Sequence, residues 1–438
     1  MPTQKNNNLT DSHILQQAYG LVWEQAGIDE TVVNDCTTKT PIIKAVKKLC
    51  INSHSAHTEH LLIEGDNYHS LSVLATTHQQ QIDLIYIDPP YNTGRKNDFL
   101  YNDSYVDDND SYKHSKWLAF MNRRLQIAAQ LLKQTGAIFI SIDDNEVAQL
   151  RLLCNKIFGE HNFVAQMIRK NKTGSGHDSA QIAIEFDYLL CYAKHKPSLV
   201  FAKETLQVQS DTKYKLADAH EPHRGKYYLR DLDYKGSYSP SLDYALTVPD
   251  GSIILSGNVS GKPNTWRWSK AKVAWGIAND FVVFKQTKGI WKAYIKQYQY
   301  VDNENKRRVR QLPYRAILEY LNAQGSKELN EIVPQNLFRF PKPMGLVQFC
   351  INLFKQKNIM VLDFFAGSGT TGHAVLKANK EDAGNRQFIL CTNNENDICT
   401  SITYPRLAKA IKGYTNDNNK VIPALGGNLA YYKTGFLK

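Results

Sequence analysis

The strongest constraint on the fold is the regular alternation of short apolar segments with helix-like segments, which occurs in two separate blocks of the chain. From about residue 58 to 200, strand-like runs such as IDLIYID at 82–88 alternate with helix-like runs such as the one from about 113 to 132. After about residue 337 the alternation resumes, for example with the apolar run IMVLDF at 359–364. This pattern is typical of α/β proteins in which helices cover a parallel sheet.

Between the two blocks lies a basic segment with irregular periodicity. Paired tyrosines, isolated tryptophans and short strand-like runs indicate a separate, β-rich or mixed domain. From Phe201 to Gly325 the chain has 20 Lys and Arg residues and 12 Asp and Glu residues, so this segment carries +8 of the formal net charge of +11. A local excess of positive charge suits a polyanionic partner such as double-stranded DNA.

We therefore predict an α/β fold with one doubly wound, Rossmann-like sheet, which both blocks build together and which carries the basic segment as an inserted domain. The predicted parts are a helical N-terminal extension to which no chemistry is assigned (1–57), the first half of the sheet domain (58–200), the insert (201–335) and the second half (336–438). Ligands bind at the carboxyl ends of the strands in such sheets. Candidate site residues are therefore sought where apolar runs end.

Composition narrows the cellular setting. The chain has no run of about eighteen apolar residues, and its polar N-terminus lacks the layout of a signal peptide. Its seven cysteines are scattered without a C-x-x-C pair or a metal-ligand spacing, so neither a disulfide nor a metal site is predicted. We expect a cytoplasmic protein with reduced thiols and no membrane partner.

The first candidate site is Asp88-Pro89-Pro90-Tyr91, which directly follows an apolar run. Methylation of an exocyclic amine requires acceptors for the amine protons, and Asp88 together with the carbonyl of Pro89 offers two. Pro89 and Pro90 stiffen the turn because proline fixes φ and donates no hydrogen bond. Tyr91 offers an aromatic face on which a base swung out of the duplex can stack. For this tetrapeptide alone, an ordinary turn after a strand is the competing interpretation.

The second candidate site is the loop from Asp363 to Thr370, again at the end of an apolar run. Gly367 and Gly369 allow the backbone to approach a ligand closely, and the helix that follows presents free amide groups. Asp363 suits a cationic amine such as that of a methionine moiety. The alternatives are a plain strand-to-helix turn or a dinucleotide site, but the third glycine typical of dinucleotide sites is replaced by His373.

Three further polar residues are candidate cofactor contacts. Asp66 ends a strand-like run and could contact adenine or ribose, although aspartates are common at strand ends. Lys342, in the segment FPKP, could pair with a cofactor carboxylate or simply be solvated. Glu395 follows the apolar run QFILCT and could bond ribose hydroxyls.

Two features of the insert are candidate DNA contacts. The run KRRVR contains Arg307, Arg308 and Arg310, which could neutralise phosphates, with a solvated loop as the alternative. Trp266 and Trp268 lie on one face of a predicted strand, which favours core packing over a contact with DNA.

With these residues in hand, the chain resembles the modification (Mod) subunits of type III restriction-modification systems, within the β class of amino-methyltransferases. The similarity runs from about residue 60 to 437 and rests on motifs in a fixed order. They are IEGDN at 63–67, DPPYNTG at 88–94, HSKWLAFMNRRL at 114–125, GAIFISIDDNE at 136–146, RGKYYLRDL at 224–232, WRWS at 266–269, FPKP at 340–343 and LDFFAGSGTTGHAV at 362–375.

The resemblance implies an S-adenosylmethionine-dependent enzyme that methylates N6 of adenine in a short asymmetric DNA site. It implies that Asp88, Pro89 and Tyr91 form the methyl-acceptor site and that Phe365 joins Asp363 and the two glycines in holding S-adenosylmethionine. The insert is then the target recognition domain. Family members commonly form homodimers and pair with a helicase-nuclease (Res) subunit. The chain ends at GGNLAYYKTGFLK, where Mod subunits usually continue, so a stand-alone or truncated methyltransferase is an alternative.

Three other functions compete with this interpretation. An N4-cytosine methyltransferase more often has Ser at the position of Asp88. A non-catalytic DNA recognition subunit would bind S-adenosylmethionine without methylating DNA. A nicotinamide oxidoreductase is disfavoured by the missing third glycine and by the basic insert.

Overall fold

The protein folds as two compact units, Met1–Ala202 with Arg315–Lys438, and Lys203–Tyr314. The computed structural model describes residues 23, 30–52, 59–93, 111–174, 182–205, 212–257, 264–307, 311–333, 338–417 and 419–437. The α-helices of the described residues are α1 (Thr31–Thr38), α2 (Asn67–Thr77), α3 (Lys113–Leu131), α4 (Val147–Phe158), α5 (Glu221–Arg224), α6 (Lys270–Ala278), α7 (Asn322–Asn330), α8 (Met344–Asn352), α9 (Thr370–Asp382) and α10 (Tyr404–Lys412).

The β-strands of these residues are β1 (Pro41–Ala45), β2 (Glu59–Glu64), β3 (Ile82–Ile87), β4 (Leu132–Ile142), β5 (Phe163–Lys170), β6 (Phe186–Ala193), β7 (Glu204–Thr205), β8 (Tyr227–Asp231), β9 (Asp233–Tyr234), β10 (Leu246–Thr247), β11 (Ile253–Ile254), β12 (Thr265–Trp266), β13 (Val282–Thr287), β14 (Ile290–Tyr298), β15 (Gln311–Leu312), β16 (Ile317–Glu319), β17 (Met360–Asp363), β18 (Gln387–Thr392), β19 (Tyr414–Thr415), β20 (Val421–Ile422) and β21 (Asn428–Phe436).

One ten-stranded sheet organises the larger unit within the described residues. Its strand order is β1-β21-β2-β18-β17-β3-β4-β6-β5-β16. All of these strands run in the same direction except β1 and β6. The central strands are apolar and buried over most of their length, as strands covered on both faces must be. The predicted α/β sheet shared by both blocks is therefore confirmed.

The two blocks meet where β17 pairs with β3, with Leu362 opposite Ile85. From β3 the chain moves outward to β4, whereas from β17 it moves in the other direction to β18. Right-handed crossovers then place α2 and α3 on one face and α9 and α10 on the other, and the helix contacts α2 with α3 and α9 with α10 agree. The winding direction reverses between β3 and β17, which is where such sheets bind ligands.

Two of the predicted boundaries differ from the structure. Residues 315–335 were assigned to the insert, but β16 pairs in parallel with β5, so this stretch belongs to the larger unit. Residues 1–57 were expected to form a helical extension, yet β1 in this segment pairs with β21 at the edge of the main sheet. Both strands are short or edge strands whose place depends on partners distant in sequence, and no local pattern reveals such pairing.

The smaller unit has its own core and an antiparallel sheet in the order β13-β14-β8. Trp266 and Trp268 are buried in this core, as their shared strand face predicted. The indole of Trp266 donates to the carbonyl of Tyr244 at 2.7 Å, so its polar atom is satisfied inside the core. Across the part of the chain that the structure describes, no helix is long and apolar enough to cross a membrane.

Candidate active site

Four neighbouring strands, β2, β18, β17 and β3, end at one edge of the sheet. A cavity of about 300 Å³ lies at this edge, beside the point where the winding direction reverses. Its walls come from the segments that follow these strands and from α3. The lining residues are Asp66, Asn67, Asp88, Pro90, Phe120, Phe364, Phe365, Gly367, Cys391, Thr392, Asn393, Glu395 and Ile398.

Two buried hydrogen bonds fix the conformation of the loop after β3. Its Pro89 and Pro90 are buried, and the indole of fully buried Trp117 donates to the carbonyl of Pro90 at 2.8 Å. Asn92, whose φ is +59°, donates to the carboxyl of buried Glu146 at 2.6 Å. The carbonyl of Pro90 is thereby occupied, whereas the Asp88 side chain lines the cavity.

Asp88 forms an ion pair with Lys342. Sequence analysis had instead suggested that Lys342 pairs with a carboxylate of a cofactor. The Lys342 Nζ lies 2.8 Å from both carboxylate oxygens of Asp88. Both side chains are largely buried, with 11% and 19% of their surface exposed. The same ammonium stands 4.8 Å from the centre of the Tyr91 ring. One cation therefore orients both polar and aromatic groups of the D-P-P-Y loop.

The two glycines after β17 have different surroundings. Gly367 lines the cavity with φ at +47°, a conformation that favours glycine. The hydroxyl of Thr403 donates to the Gly367 carbonyl at 2.5 Å and fixes this turn. Gly369, with φ at +77°, is the N-cap residue of α9, and a Cβ on it would lie 3.1 Å from Cγ2 of Thr403. Its contact with a ligand stays a prediction.

Asp363 is the last residue of β17, and its side chain is buried. Its carboxyl accepts hydrogen bonds from the Phe365 amide at 3.0 Å and from the Thr371 hydroxyl at 2.6 Å. Burial raises the pKa of Asp363 to about 7, and the nearby charge of Asp88 adds to this, whereas the two hydrogen bonds act in the opposite direction. In this arrangement Asp363 stabilises the loop that presents Phe365 and Gly367.

Asp66 and Glu395 both line the cavity, as sequence analysis suggested for cofactor contacts. Asp66 also caps α2, since its Oδ1 accepts from the Tyr68 amide at 2.7 Å. Glu395 lies before Asn396 and Asp397, which have positive φ, and before a π-helix at Ile398–Thr403. Such distorted helical turns are frequent at functional sites.

Comparisons with known proteins agree with this geometry. The sequence profile of the DNA methylase family, which covers N6 and N4 methyltransferases, matches residues 82–403. The chain belongs to this DNA methylase family. The match starts at β3 and ends before α10, so it includes both loops that flank the cavity.

The chain is similar to several curated relatives. It is 34% identical to the type III restriction-modification enzyme StyLTI Mod subunit of Salmonella typhimurium, over 78% of this chain and 52% of the relative. It is 31% identical to the EcoPI Mod subunit of Escherichia phage P1, over 77% and 58%. It is also 31% identical to the type II methyltransferase M.KpnI of Klebsiella pneumoniae, over 78% and 82%. The chain thus spans about half the length of the Mod subunits.

The cavity includes residues that sequence reasoning did not single out. Asn67, Phe120, Asn393 and Ile398 line it beside the predicted positions. Asn67 lies next to Asp66 in IEGDN, so adjacency to a strand-ending aspartate was an available signal. Phe120 lies on α3, where its apolar character alone indicates a core residue, and only packing brings it to the cavity.

Of the three arginines that sequence analysis suggested as DNA contacts, only Arg307 lies among the residues that the structure describes. Arg307 is exposed and belongs to the smaller unit. Arg308 and Arg310 lie outside the described residues. The neighbouring Lys306 is paired with Glu304 at 2.8 Å, and both side chains are exposed.

The raised pKa of Asp363 predicts a pH-dependent stability. The pKa of an aspartate in the unfolded chain is about 4, whereas the pKa of Asp363 in the folded protein is about 7. The stabilisation from this group is present below the unfolded pKa and is lost as the pH rises to about 7. Urea unfolding across this range should show the wild type losing stability relative to Asp363→Asn. Parallel pH curves for the two proteins would contradict the assignment of this titration to Asp363.

Proposed function

We propose that the chain transfers a methyl group from S-adenosylmethionine to N6 of adenine in a short asymmetric site of double-stranded DNA. The observation that carries this proposal is the position of Asp88. Its carboxylate lines the same cavity as Phe365 and Gly367, at the point where the sheet changes its winding direction. A proton acceptor is thus next to a cavity of suitable size for a small cofactor. Membership in the DNA methylase family supports the same reaction class.

The cavity residues fit S-adenosylmethionine by their chemistry. The carboxylates of Asp66, Asp88 and Glu395 suit a ligand with an ammonium group, a sulfonium and a ribose diol. Aromatic walls at Phe120 and Phe365 suit an adenine ring. We therefore assign Asp66, Phe365, Gly367 and Glu395 to the cofactor, with Asp363 and Gly369 holding the loop in shape. When bound, the cofactor supplies an activated methyl group.

The chain's own residues would prepare the attacking amine. Asp88 and the carbonyl of Pro89 accept hydrogen bonds from the N6 amino group, which directs its lone pair away from the ring. Tyr91 provides a stacking surface for the base, worth about 1–3 kcal/mol. Lys342 holds the Asp88 carboxylate in one orientation, and the incoming amine shares that carboxylate with it. Asp88 then accepts the proton that the methylated nitrogen loses.

A cysteine nucleophile is not part of this mechanism, because an exocyclic amine attacks the methyl group directly. Cys391 lines the cavity, but burial raises the pKa of its thiol, so it stays protonated at neutral pH. Carbon methylation through a thiolate is therefore a poor fit to this site.

The decisive experiment for the reaction identifies the product. Plasmid DNA treated with the enzyme and tritiated S-adenosylmethionine is digested to nucleosides, which are separated by chromatography. We expect the label in N6-methyl-2′-deoxyadenosine. Label in N4-methylcytosine would overturn the choice of base, and cofactor binding without any label in DNA would indicate a recognition subunit that lacks turnover. Single-molecule sequencing of the same DNA would then give the site and its strand asymmetry.

We further propose that the smaller unit, residues 203–314, is the target recognition domain. The basic segment that contains it carries most of the net charge, and arginine contacts to phosphates make DNA affinity dependent on salt. Replacing Arg307, Arg308 and Arg310 by Ala should weaken DNA binding and lower the slope of log K against log salt by up to about 0.9 for each lost contact. Fluorescence anisotropy over a salt series measures this slope. An unchanged slope would show that these arginines do not contact phosphates.

The Mod subunits among the relatives support a role in a type III system. We propose that the chain acts there as the modification subunit, as a homodimer that pairs with a Res subunit. Light scattering coupled to size-exclusion chromatography, with the chain alone and mixed with the Res subunit of its host, tests both contacts. A monomer that elutes separately from Res would favour an enzyme that acts alone.

A further inference from the structure

Arg124, on α3, is a buried cation directly behind the cavity. Only 1% of its side chain is exposed. A guanidinium cannot lose its charge at this depth, so its hydrogen bonds and counter-ions must satisfy it inside the protein. The partners of such a group are consequently held in fixed positions.

Arg124 forms hydrogen bonds with two residues that line the cavity, Asn67 and Phe120. Its Nε donates to Asn67 Oδ1 at 2.5 Å, and its Nη1 donates to the carbonyl of Phe120 at 3.0 Å. The guanidinium also stacks on the Phe120 ring, 3.6 Å from the ring centre. Asn67 in turn donates to the carbonyl of Phe364 at 3.0 Å. One side chain thus connects α3, the start of α2 and the end of β17 around the cavity.

The counter-ion of Arg124 comes from the N-terminal segment, to which sequence analysis assigned no chemistry. Glu30 Oε2 lies 2.9 Å from Arg124 Nη2, and Glu30 Oε1 lies 2.9 Å from Nη1 of the neighbouring Arg123. The Glu30 side chain is 10% exposed. The next carboxylate is that of Asp66, at 3.7 Å from Arg124 Nη2. Asp66 is 42% exposed and lines the cavity.

These contacts put two carboxylates in competition for one guanidinium. With Glu30 in place, Arg124 Nη2 has a carboxylate partner outside the cavity. The Asp66 carboxylate can then interact with a ligand in the cavity. Without the Glu30 charge, the buried guanidinium would draw Asp66 towards itself, because an unpaired buried cation is strongly unfavourable. Asn67 and Phe120 would follow any movement of Arg124.

We propose that Glu30, which immediately precedes α1, and Arg124 are positioning residues for the cofactor, and that their ion pair keeps the S-adenosylmethionine site in shape from outside the cavity. This inference rests on the proposed function for the identity of the ligand. The alternative is an ion pair that only stabilises the packing of α1. The two differ in what they change: a positioning role alters cofactor affinity, whereas a packing role alters only the amount of folded enzyme.

The test uses Glu30→Gln in the full chain, with S-adenosylmethionine as the probe. We expect its Kd by calorimetry and its KM in methyl transfer to rise roughly 10- to 100-fold, as small displacements of positioning groups can produce. At saturating cofactor, kcat and the affinity for DNA should match the wild type. The matched control is Arg123→Gln, which removes the other ion pair of the same glutamate and keeps the Arg124 side chain that contacts Asn67 and Phe120. It should bind cofactor like the wild type.

A second variant separates positioning from folding. Arg124→Lys keeps the positive charge for Glu30 but loses the planar fork that reaches Asn67 and the Phe120 carbonyl. It should fold and still show the rise in cofactor KM. Wild-type affinity for S-adenosylmethionine in folded Glu30→Gln or Arg124→Lys would overturn the inference and leave the proposed function intact. A wild-type chain that binds no S-adenosylmethionine would overturn both.

Discussion

Asp88→Ala is expected to lose methyl transfer by about 10³-fold or more, because positioning and electrostatic stabilisation of the reacting amine together supply a contribution of that size. The carboxylate is the side chain in the D-P-P-Y loop that lines the cavity and can accept an amine proton. Binding of S-adenosylmethionine and DNA should survive the change. The measurement is transfer of a tritiated methyl group to DNA that contains the mapped site, with cofactor binding followed in parallel by calorimetry.

The ion pair between Asp88 and Lys342 affects the interpretation of Asp88→Ala and calls for a control variant. Removal of the Asp88 carboxylate leaves the Lys342 ammonium largely buried without its partner, which costs stability. The double variant Asp88→Ala with Lys342→Met removes both charges and should be equally inactive but better folded. Cys391→Ser changes another cavity residue and should keep turnover. Near-normal transfer by Asp88→Ala would refute the mechanism, and inactivity of folded Cys391→Ser would indicate thiolate chemistry.

Gly367→Val should abolish measurable S-adenosylmethionine binding. A β-branched residue is strained at φ +47°, and its Cβ would lie 3.3 Å from Cζ of Phe338. The turn cannot relax freely, since the Gly367 carbonyl is bonded to Thr403. The loop should therefore shift at the point where it lines the cavity, and an affinity loss of about 100-fold is the minimum expected from such a displacement. Calorimetry with purified variant and cofactor measures it.

The matched control for Gly367→Val is Gly426→Val. It introduces the same kind of backbone strain at a position that is not among the lining residues of the cavity. Gly426 has φ at +83° and open space around an added Cβ. This variant should be somewhat less stable but should bind cofactor normally. If Gly367→Val folds, as judged by circular dichroism, and binds S-adenosylmethionine with wild-type affinity, the cofactor must be held elsewhere.

The main architecture could be predicted because it follows from local patterns. Runs such as those at 82–87 and 387–392 are apolar over most of their length, a composition typical of strands buried on both faces. The residues that follow such runs must lie at one edge of a parallel sheet, whichever strands are neighbours. Asp66, Asp88, Gly367 and Glu395 were therefore identifiable as candidates before their spatial relation was known.

The ion-pair partners of the site residues could not be predicted from local sequence patterns. Lys342 is 254 positions from Asp88, and Glu30 is 94 positions from Arg124. A lysine before a helix and a glutamate in a polar N-terminal segment have no local property that distinguishes them from solvated charges. The same holds for the hydrogen bonds that Asp363 accepts from the Phe365 amide and the Thr371 hydroxyl, whereas its ligand contact stays a prediction.

The sequence by itself determined the α/β class, the joining of two blocks around a basic insert, and the two loops at strand ends. Only the tertiary structure decided that β16 and β1 belong to the main sheet, that Lys342 pairs with Asp88, and that Glu30 lies behind the cavity. The physical reason is the range of the forces involved. Apolar periodicity and turn chemistry act within a few residues, whereas the pairing of buried charges and edge strands depends on which distant segments the folded core brings into contact.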